Sequence, residues 1–362
     1  MAKYLYLDIK EYLLKLIREN QDVPNYQLPS ENQLALKFST TRVTAKKALS
    51  ELQNEGLVYR VHGKGSFVSP AAPDSEVLRG GEFVCMLLPN IDSRFISSMV
   101  EGVQRALHAQ GFHLLLVSET DTELQSGNLI QHLVDLGVKG IIVFPSSRTR
   151  YNRDLLMLAL NRFPVVFVDR TLRDFDISAV TSDHIAITQR AVQLLFDRGC
   201  KRVGFISRPP EDSTSISRRI TGYERAHIEN DRTILSGNRL YLKKDDSQML
   251  SRIQDFLAAN PDMDGLLTYG AAIGFNVYRA IRQAGIRVPD RLQVIFFDDE
   301  YAGFSDLLPF APTCIAQRST EIGVNAANLI ARYIRTKKVT IDKITVDCDI
   351  LERDSTKRSA DA

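Results

Sequence analysis

Residues 28–68, LPSENQLALKFSTTRVTAKKALSELQNEGLVYRVHGKGSFV, constrain this chain more than any other stretch. Ser30 can accept hydrogen bonds from the free N–H groups at the start of a helix, and Gln33 stands at the reach-back position of a capping box. A turn at Phe38-Ser39-Thr40 follows. The run 41–55 then places Ala45, Ala48, Leu49 and Leu52 at i, i+3, i+4 and i+7, a single apolar stripe of helical period. Arg42, Val43, Lys46, Lys47 and Ser50 occupy the opposite arc. Gly56 stops the helix by accepting a left-handed conformation. Residues 57–61 and 66–68 read as short strands around His62-Gly63-Lys64-Gly65, a basic, glycine-rich hairpin tip. Two short helices, the second of them basic, and a basic hairpin predict a winged helix-turn-helix.

Charge favours a nucleic-acid partner over a merely solvated helix face. Lys37, Arg42, Lys46, Lys47, Arg60 and Lys64 stand against Glu31, Glu51 and Glu55, a net +3, whereas all 362 residues together carry +2. Cations therefore concentrate where phosphates would lie. Leu28-Pro29-Ser30-Glu31, Leu34-Ala35, Thr41-Arg42, Glu55-Gly56-Leu57 and Gly63-Lys64-Gly65-Ser66-Phe67-Val68 make the stretch resemble the gluconate-repressor (GntR) type of winged helix. The chain departs from that pattern at Ser39, Thr40, Ala45 and Lys46, which bears on the preferred base sequence and not on the fold. The resemblance implies DNA contacts from Asn32, Thr41, Arg42, Val43, Thr44, Lys46 and Lys47, with His62, Gly63 and Lys64 at the backbone or minor groove.

The chain is too long for that module alone, and its length predicts two or three domains. A hydrophobic fraction of 44% and a charged fraction of 25% are ordinary for globular proteins. The first twenty residues mix charged with apolar residues, unlike a signal peptide, and no run is long enough to span a bilayer, so a cytoplasmic location is expected. Cys85, Cys200, Cys314 and Cys348 are widely separated and read as reduced structural thiols. The histidines form no HxxH or HExxH pattern, and no metal or other cofactor is expected.

Residues 6–20 put Ile9, Leu13, Leu16 and Ile17 on one helical face, suited to pack against the helix-turn-helix. Residues 69–81 are polar and punctuated by Pro and Gly, as in a linker. Apolar strands then alternate with amphipathic helices, which predicts open parallel sheets covered on both faces. One series has strands at 83–88, 113–118, 140–144 and 165–169; a second has them at 202–207, 239–243, 265–269 and 294–299. Two such series imply two α/β subdomains.

The stretches Pro164-Val165-Val166-Phe167-Val168-Asp169-Arg170, Val180-Thr181-Ser182-Asp183, Arg198-Gly199-Cys200-Lys201-Arg202-Val203-Gly204-Phe205-Ile206 and Ile295-Phe296-Phe297-Asp298-Asp299 resemble the effector domain of the lactose-repressor (LacI) family, which is related to periplasmic sugar-binding proteins. That likeness covers 82–356, and the ending Leu351-Glu352-Arg353-Asp354-Ser355-Thr356 is similar to the family's closing strand. A GntR-type winged helix on such a domain resembles the arabinose-repressor group. The implied architecture is a winged domain (1–68), a linker (69–81), a two-subdomain, type 1 periplasmic-binding-protein-like α/β effector domain (82–356) and a tail (357–362). The first subdomain would take 82–182 and 317–342, the second 183–316 and 343–356.

Ligands of open α/β sheets bind beyond the carboxyl ends of the strands. The polar residues there are Asp92 and Arg94, with Phe95 beside them, Ser146, Ser147 and Arg148, Asp169 and Arg170, Arg219, and Asp298. A sugar's hydroxyls both donate and accept, so carboxylates and guanidinium groups suit them, while an aromatic ring such as Phe95 suits the apolar face. The resemblance places Arg219 and Asp298 where the family grips its ligand. Gly270-Ala271 stands where the family commonly has Asn-Asp, which fits a different sugar, a smaller or less hydroxylated effector, or weaker binding. A sugar-modifying enzyme and a solute receptor are the alternatives on the same fold. No GxSxG or GxxxxGK[ST] pattern favours the first, and the want of a signal peptide argues against the second. The expectation is a homodimeric, non-enzymatic regulator that binds double-stranded operator DNA and represses carbohydrate-use genes until a sugar-like effector releases it.

Overall fold

A computed structural model of the chain describes residues 2–20, 23, 26–54, 57–61, 65–68, 82–118, 129–145, 153–172, 175–243, 246–300 and 310–357. The chain divides into two compact units, Met1–Gly81 and Glu82–Ala362.

In the first unit, α1 (Ala2–Glu19), α2 (Glu31–Lys37) and α3 (Arg42–Asn54) precede an antiparallel hairpin of β1 (Val58–Val61) and β2 (Gly65–Val68). Ser30 and Gln33 form the capping box, with Ser30 Oγ 3.3 Å from the Gln33 amide and Gln33 Oε1 2.8 Å from that of Ser30. Thr41 caps α3 through its hydroxyl, 3.3 Å from the Thr44 backbone nitrogen. Ala45, Ala48, Leu49 and Leu52 are fully buried against Ile9 and Leu13 of α1 and Leu34 of α2. The stripe thus becomes the core of a three-helix unit, and the hairpin closes it through Val58 and Val68. Gly56 and the hairpin tip His62-Gly63-Lys64 lie outside the described residues.

The second unit contains two sheets. In lobe 1 the strands are β3 (Phe83–Leu88), β4 (His113–Ser118), β5 (Gly140–Val143), β6 (Val165–Val168), β7 (Ala179–Ser182) and β13 (Lys343–Val346), all parallel, in the order β13-β7-β6-β5-β3-β4. In lobe 2 they are β8 (Val203–Ser207), β9 (Arg239–Tyr241), β10 (Gly265–Thr268), β11 (Gln293–Phe297), β12 (Thr313–Gln317) and β14 (Cys348–Leu351), in the order β14-β12-β11-β10-β8-β9, with only β14 antiparallel to its neighbour. Helices cover both faces of each sheet, so strands such as β5, β6, β8 and β11 are buried throughout.

Lobe 1 carries α4 (Arg94–His108), α5 (Leu129–Asp135), α6 (Arg153–Leu160) and α11 (Ser319–Thr336); lobe 2 carries α7 (His184–Asp197), α8 (Thr214–Glu229), α9 (Met249–Ala259) and α10 (Ala271–Gln283). The pair α4 and α11 cross with backbones in contact, because Gly102 and Gly323 face each other's helices. A Cβ on Gly323 would lie 2.2 Å from the Met99 carbonyl, and one on Gly102 2.3 Å from that of Thr320. Between the lobes the chain crosses at Asp183, at Arg318 and at Asp347.

Two expectations need correction. Lys343–Val346 belongs to lobe 1, where it pairs with β7, and not to the second subdomain. The closing strand is Cys348–Leu351, and the segment from Glu352 onward is not strand; there Ser355 and Thr356 bond to β11 and β12 as an irregular seam. All four cysteines are free and buried, and burial pushes the thiols of Cys85, Cys200 and Cys314 up to about 12.

Candidate operator-binding face and effector cleft

On the winged unit, the arc of α3 opposite the core stripe is open to solvent. Thr41, Arg42, Val43, Lys46 and Lys47 are exposed, Thr44 is half-buried, and Asn32 is exposed on α2. Val43 is 76% exposed, an apolar side chain on a cationic face, which suits contact with a thymine methyl. Glu31, which the sequence offered only as an opposing charge and a motif residue, organises this face. Its carboxylate lies 3.0 Å from Arg42 Nε and 3.3 Å from Arg60 Nη1, and Arg60 reaches Ser50 Oγ at 3.4 Å. One carboxylate therefore joins α2, α3 and β1, while the Arg42 side chain stays 70% exposed. Lys47 turns toward the Tyr6 ring, 5.0 Å from its centroid.

In the second unit, a cleft of about 490 Å³ opens between the carboxyl ends of the two sheets. Asp169 follows β6 and Asp298 follows β11, and both adopt left-handed backbone conformations, with φ of 62° and 66°. Such conformations are costly for non-glycine residues and collect at ligand sites. Here the turns aim one carboxylate into the cleft from each lobe. Asp169 is buried, with Oδ2 3.2 Å from Arg170 Nε. The Arg170 guanidinium also covers the Phe144 ring at 4.9 Å and donates to the Pro145 carbonyl at 3.3 Å. Phe95 meets Phe144 edge-on, and both line the cleft.

Across the cleft, Arg219 is buried in α8, its guanidinium 3.8 Å from the centre of the Phe297 ring and 5.1 Å from that of Tyr269. Asp298 Oδ1 accepts from Gln317 Nε2 at 2.6 Å. Burial pushes the Asp298 carboxyl up to about 6 against the pull of Arg219 and Gln317, with the nearby negative charges of Asp169 and Glu300 adding to the rise. Asp169 goes the other way. Burial would raise it, but the His184 ring beside it and the charges of Arg170 and Arg219 hold it below the usual carboxylate range. The two carboxylates thus differ in proton affinity although they face one cavity.

The structure brings Phe95, Asp169, Arg170, Arg219 and Asp298 to this cleft, with Asp92 at its rim. Arg94 does not join them. Its side chain lines a neighbouring groove with Ser98, Arg105 and Arg318, because the first turn of α4 points it away while Phe95 points in. Ser146, Ser147 and Arg148 lie outside the described residues. Gly270, with φ of 36°, and Ala272 contribute no polar side chain to the cleft wall. Gln317, His184 and Glu300 escaped sequence reasoning. Gln317 ends a strand that apolar patterning did not single out. Glu300 accepts from the backbone N–H groups of Arg94 at 2.8 Å and Phe95 at 3.3 Å, so a lobe 2 carboxylate caps a lobe 1 helix. A second bond across the rim links Thr214 Oγ1 to the Thr171 N–H at 2.9 Å.

Residues 82–354 match the family of periplasmic binding proteins and sugar binding domain of LacI family, and residues 5–68 match the bacterial regulatory proteins, gntR family. The chain belongs to the LacI family through its effector domain and carries a GntR-type DNA-binding domain ahead of it, which makes it a DNA-binding transcription regulator. Among similar proteins is the arabinose metabolism transcriptional repressor of Geobacillus stearothermophilus, 25% identical over 97% of each chain. The protein of the same description from Halalkalibacterium halodurans is 22% identical over 91% of this chain and 89% of its own. A solved structure, the transcriptional regulator CelR–cellobiose complex, shares the fold with a TM-score of 0.68 at 19% identity, covering 91% of this chain and all of that one. Among the described residues no helix is long and apolar enough to cross a membrane.

Proposed function

We propose that the chain is a homodimeric repressor of carbohydrate-use genes and that a small sugar, gripped between the lobes, releases it from a palindromic operator. The carrying observation is the pairing of Asp169 from lobe 1 with Arg219 and Asp298 from lobe 2 around one cavity. Acceptors and donors alternate there, as vicinal hydroxyls require, and the Phe95 and Tyr269 rings offer apolar faces for the C–H side of a pyranose or furanose. A ligand held by both lobes favours whichever arrangement brings them together, and it can shift that equilibrium only by its differential affinity. In this reading Thr41, Arg42, Val43, Thr44 and Lys46 read the major groove, Asn32 and Lys47 flank them, and His62, Gly63 and Lys64 reach the adjacent backbone or minor groove. Asp92 and Arg170 complete the sugar site, and Ser146 and Arg148 are assigned to it from the sequence alone.

The relatives described as arabinose repressors support the sugar class, and arabinose is the first sugar to try. Thermal shift of the full chain against arabinose, ribose, glucose and cellobiose, followed by gel shift on fragments of its own genome with the sugar that binds, tests the reading. A sugar that raises the melting temperature and dissociates the complex is expected. Turnover of a sugar, or operator binding indifferent to every sugar bound, would refute it. Light scattering of Glu82–Ala362 at micromolar concentration is expected to give a dimer; a monomer would assign dimerisation elsewhere.

A further inference from the structure

His184 is fully buried at the first crossover, the first residue of α7 immediately after the cap Asp183. Its two ring nitrogens face the two lobes. Nδ1 lies 3.4 Å from Arg219 Nε, while Nε2 lies 3.3 Å from the Asp169 carbonyl oxygen and 3.5 Å from Asp169 Oδ1. The guanidinium Nε–H can only donate, so Nδ1 has to be the bare, accepting nitrogen. A neutral ring then carries its proton on Nε2, aimed at Asp169, where the carbonyl oxygen accepts it and the carboxylate Oδ1 lies close by. Burial and the positive charge of Arg219 oppose protonation of this imidazole, and the Asp169 contacts do not offset them.

The geometry matters because nothing else described fixes the rotation of Arg219. Its contacts with Phe297 and Tyr269 are ring faces, which hold a cation over them but set no azimuth. The bond from Nε to His184 does set it, and so determines where the two terminal nitrogens point. On the lobe 1 side, Asp169 Oδ2 is taken by Arg170, whereas Oδ1 has no hydrogen bond of good geometry and sits beside His184 Nε2. We propose that His184 is a positioning residue for the effector cleft, orienting Arg219 through Nδ1 and Asp169 through Nε2, so that one imidazole at the crossover sets two ligand-gripping side chains of opposite lobes. This rests on reading the cleft as the sugar site. His184 itself touches no ligand.

The test uses the full chain labelled with ¹⁵N-histidine, whose six histidines give a resolvable long-range spectrum. The signal that His184→Asn removes is expected, at pH 7.5, to show a neutral ring protonated on Nε2. A proton on Nδ1, or an imidazolium, overturns the proposal whatever the ligand proves to be. Calorimetric titration with arabinose, ribose and cellobiose supplies the functional arm. His184→Leu is expected to weaken sugar binding at least tenfold, whereas His184→Asn, whose Oδ1 replaces the acceptor for Arg219, stays within about threefold of the wild type. Equal losses for Asn and Leu in variants with matching melting curves overturn it. If Leu fails to fold, His184→Gln stands in, since its amide reaches toward Asp169 but offers Arg219 no acceptor at Nδ1, and affinity equal to that of Asn overturns the proposal. If the wild type binds none of these sugars, the sugar reading falls, while the Nε2–H tautomer still supports the arrangement of His184 with Arg219 and Asp169.

Discussion

The folded chain keeps a proton on Asp298 up to about pH 6, whereas the unfolded chain releases it near the ordinary 3.8. Between those values the folded state binds more protons, so this carboxyl makes folding progressively less favourable as the pH rises, with the full penalty above 6. Asp298→Asn, which keeps an acceptor for Gln317 and removes the charge, is therefore expected to melt above the wild type at pH 7.5 and level with it below pH 4. The same variant is expected to bind sugar at least tenfold more weakly, because its one oxygen is kept by Gln317 and an NH2 donor replaces the carboxylate oxygen left for the ligand. A lower melting temperature at pH 7.5 would show that the Gln317 bond outweighs the burial of charge. Arg42 poses a residue-scale question on the other unit, where Glu31 holds it at 3.0 Å. Arg42→Ala is expected to cost about 1–3 kcal/mol on operator DNA and little on random DNA, whereas Lys64→Ala weakens both and lowers the salt slope by about one. Equal losses on both DNAs for Arg42→Ala would show that it only positions.

At the scale of elements, the legibility of this chain follows how each one is buried. Ser30 and Gln33 were readable because a capping box is local, needing only four consecutive residues. The stripe on α3 was readable because a helix with one buried face repeats it at every turn. The strand β13 was not, because it is the edge of the lobe 1 sheet and only Val346 is buried, so its alternation is faint and its partner lies more than 160 residues earlier. His184, Gln317 and Glu300 were hidden for a similar reason: each acquires its role from a neighbour distant in sequence, Arg219, Asp298 and the α4 amides respectively. Asp169 and Asp298 stood out as cleft candidates because each follows a strand, and Arg219, which lies in a helix, because of the family likeness. The contact of α4 with α11 makes an element-scale prediction. Gly323→Ala places a methyl against the Met99 carbonyl, which neither helix can vacate without losing packing, and should destabilise the chain by roughly 1–3 kcal/mol in urea unfolding. An unchanged midpoint would mean that the helices slide apart at no cost.

For the whole molecule, the proposed function asks how a sugar held between the two lobes would act on DNA held by another unit. Three crossovers join the lobes, and Arg318 and Asp349 tie the second to the third with bonds of 2.9 and 3.0 Å. The crossovers are thus braced, and in the proposed function a ligand held by both lobes would bias their arrangement about these segments. A coupling free energy of about 1–3 kcal/mol would change operator affinity roughly 5- to 150-fold. Asp298→Ala is expected to bind operator as the wild type does and to ignore the sugar at concentrations that release the wild type, as read by gel shift. Release at the wild-type concentration would place the effector elsewhere; failure to bind operator without sugar would make Asp298 structural.

The crossovers also set an order of birth. Lobe 1 takes its first five strands from residues 83–182, yet Ile322, Ala326, Ile330 and Tyr333 of α11 fill its core, and its last strand ends at Val346. A nascent chain emerging from the ribosome therefore completes most of lobe 2 while lobe 1 still lacks a helix and a strand. Until the helix that begins at Ser319 appears, the face of the lobe 1 sheet that it shares with α4 is only partly covered. A stop between residues 182 and 319 would not trim the molecule; it would leave a winged domain tethered to a half-covered, aggregation-prone sheet.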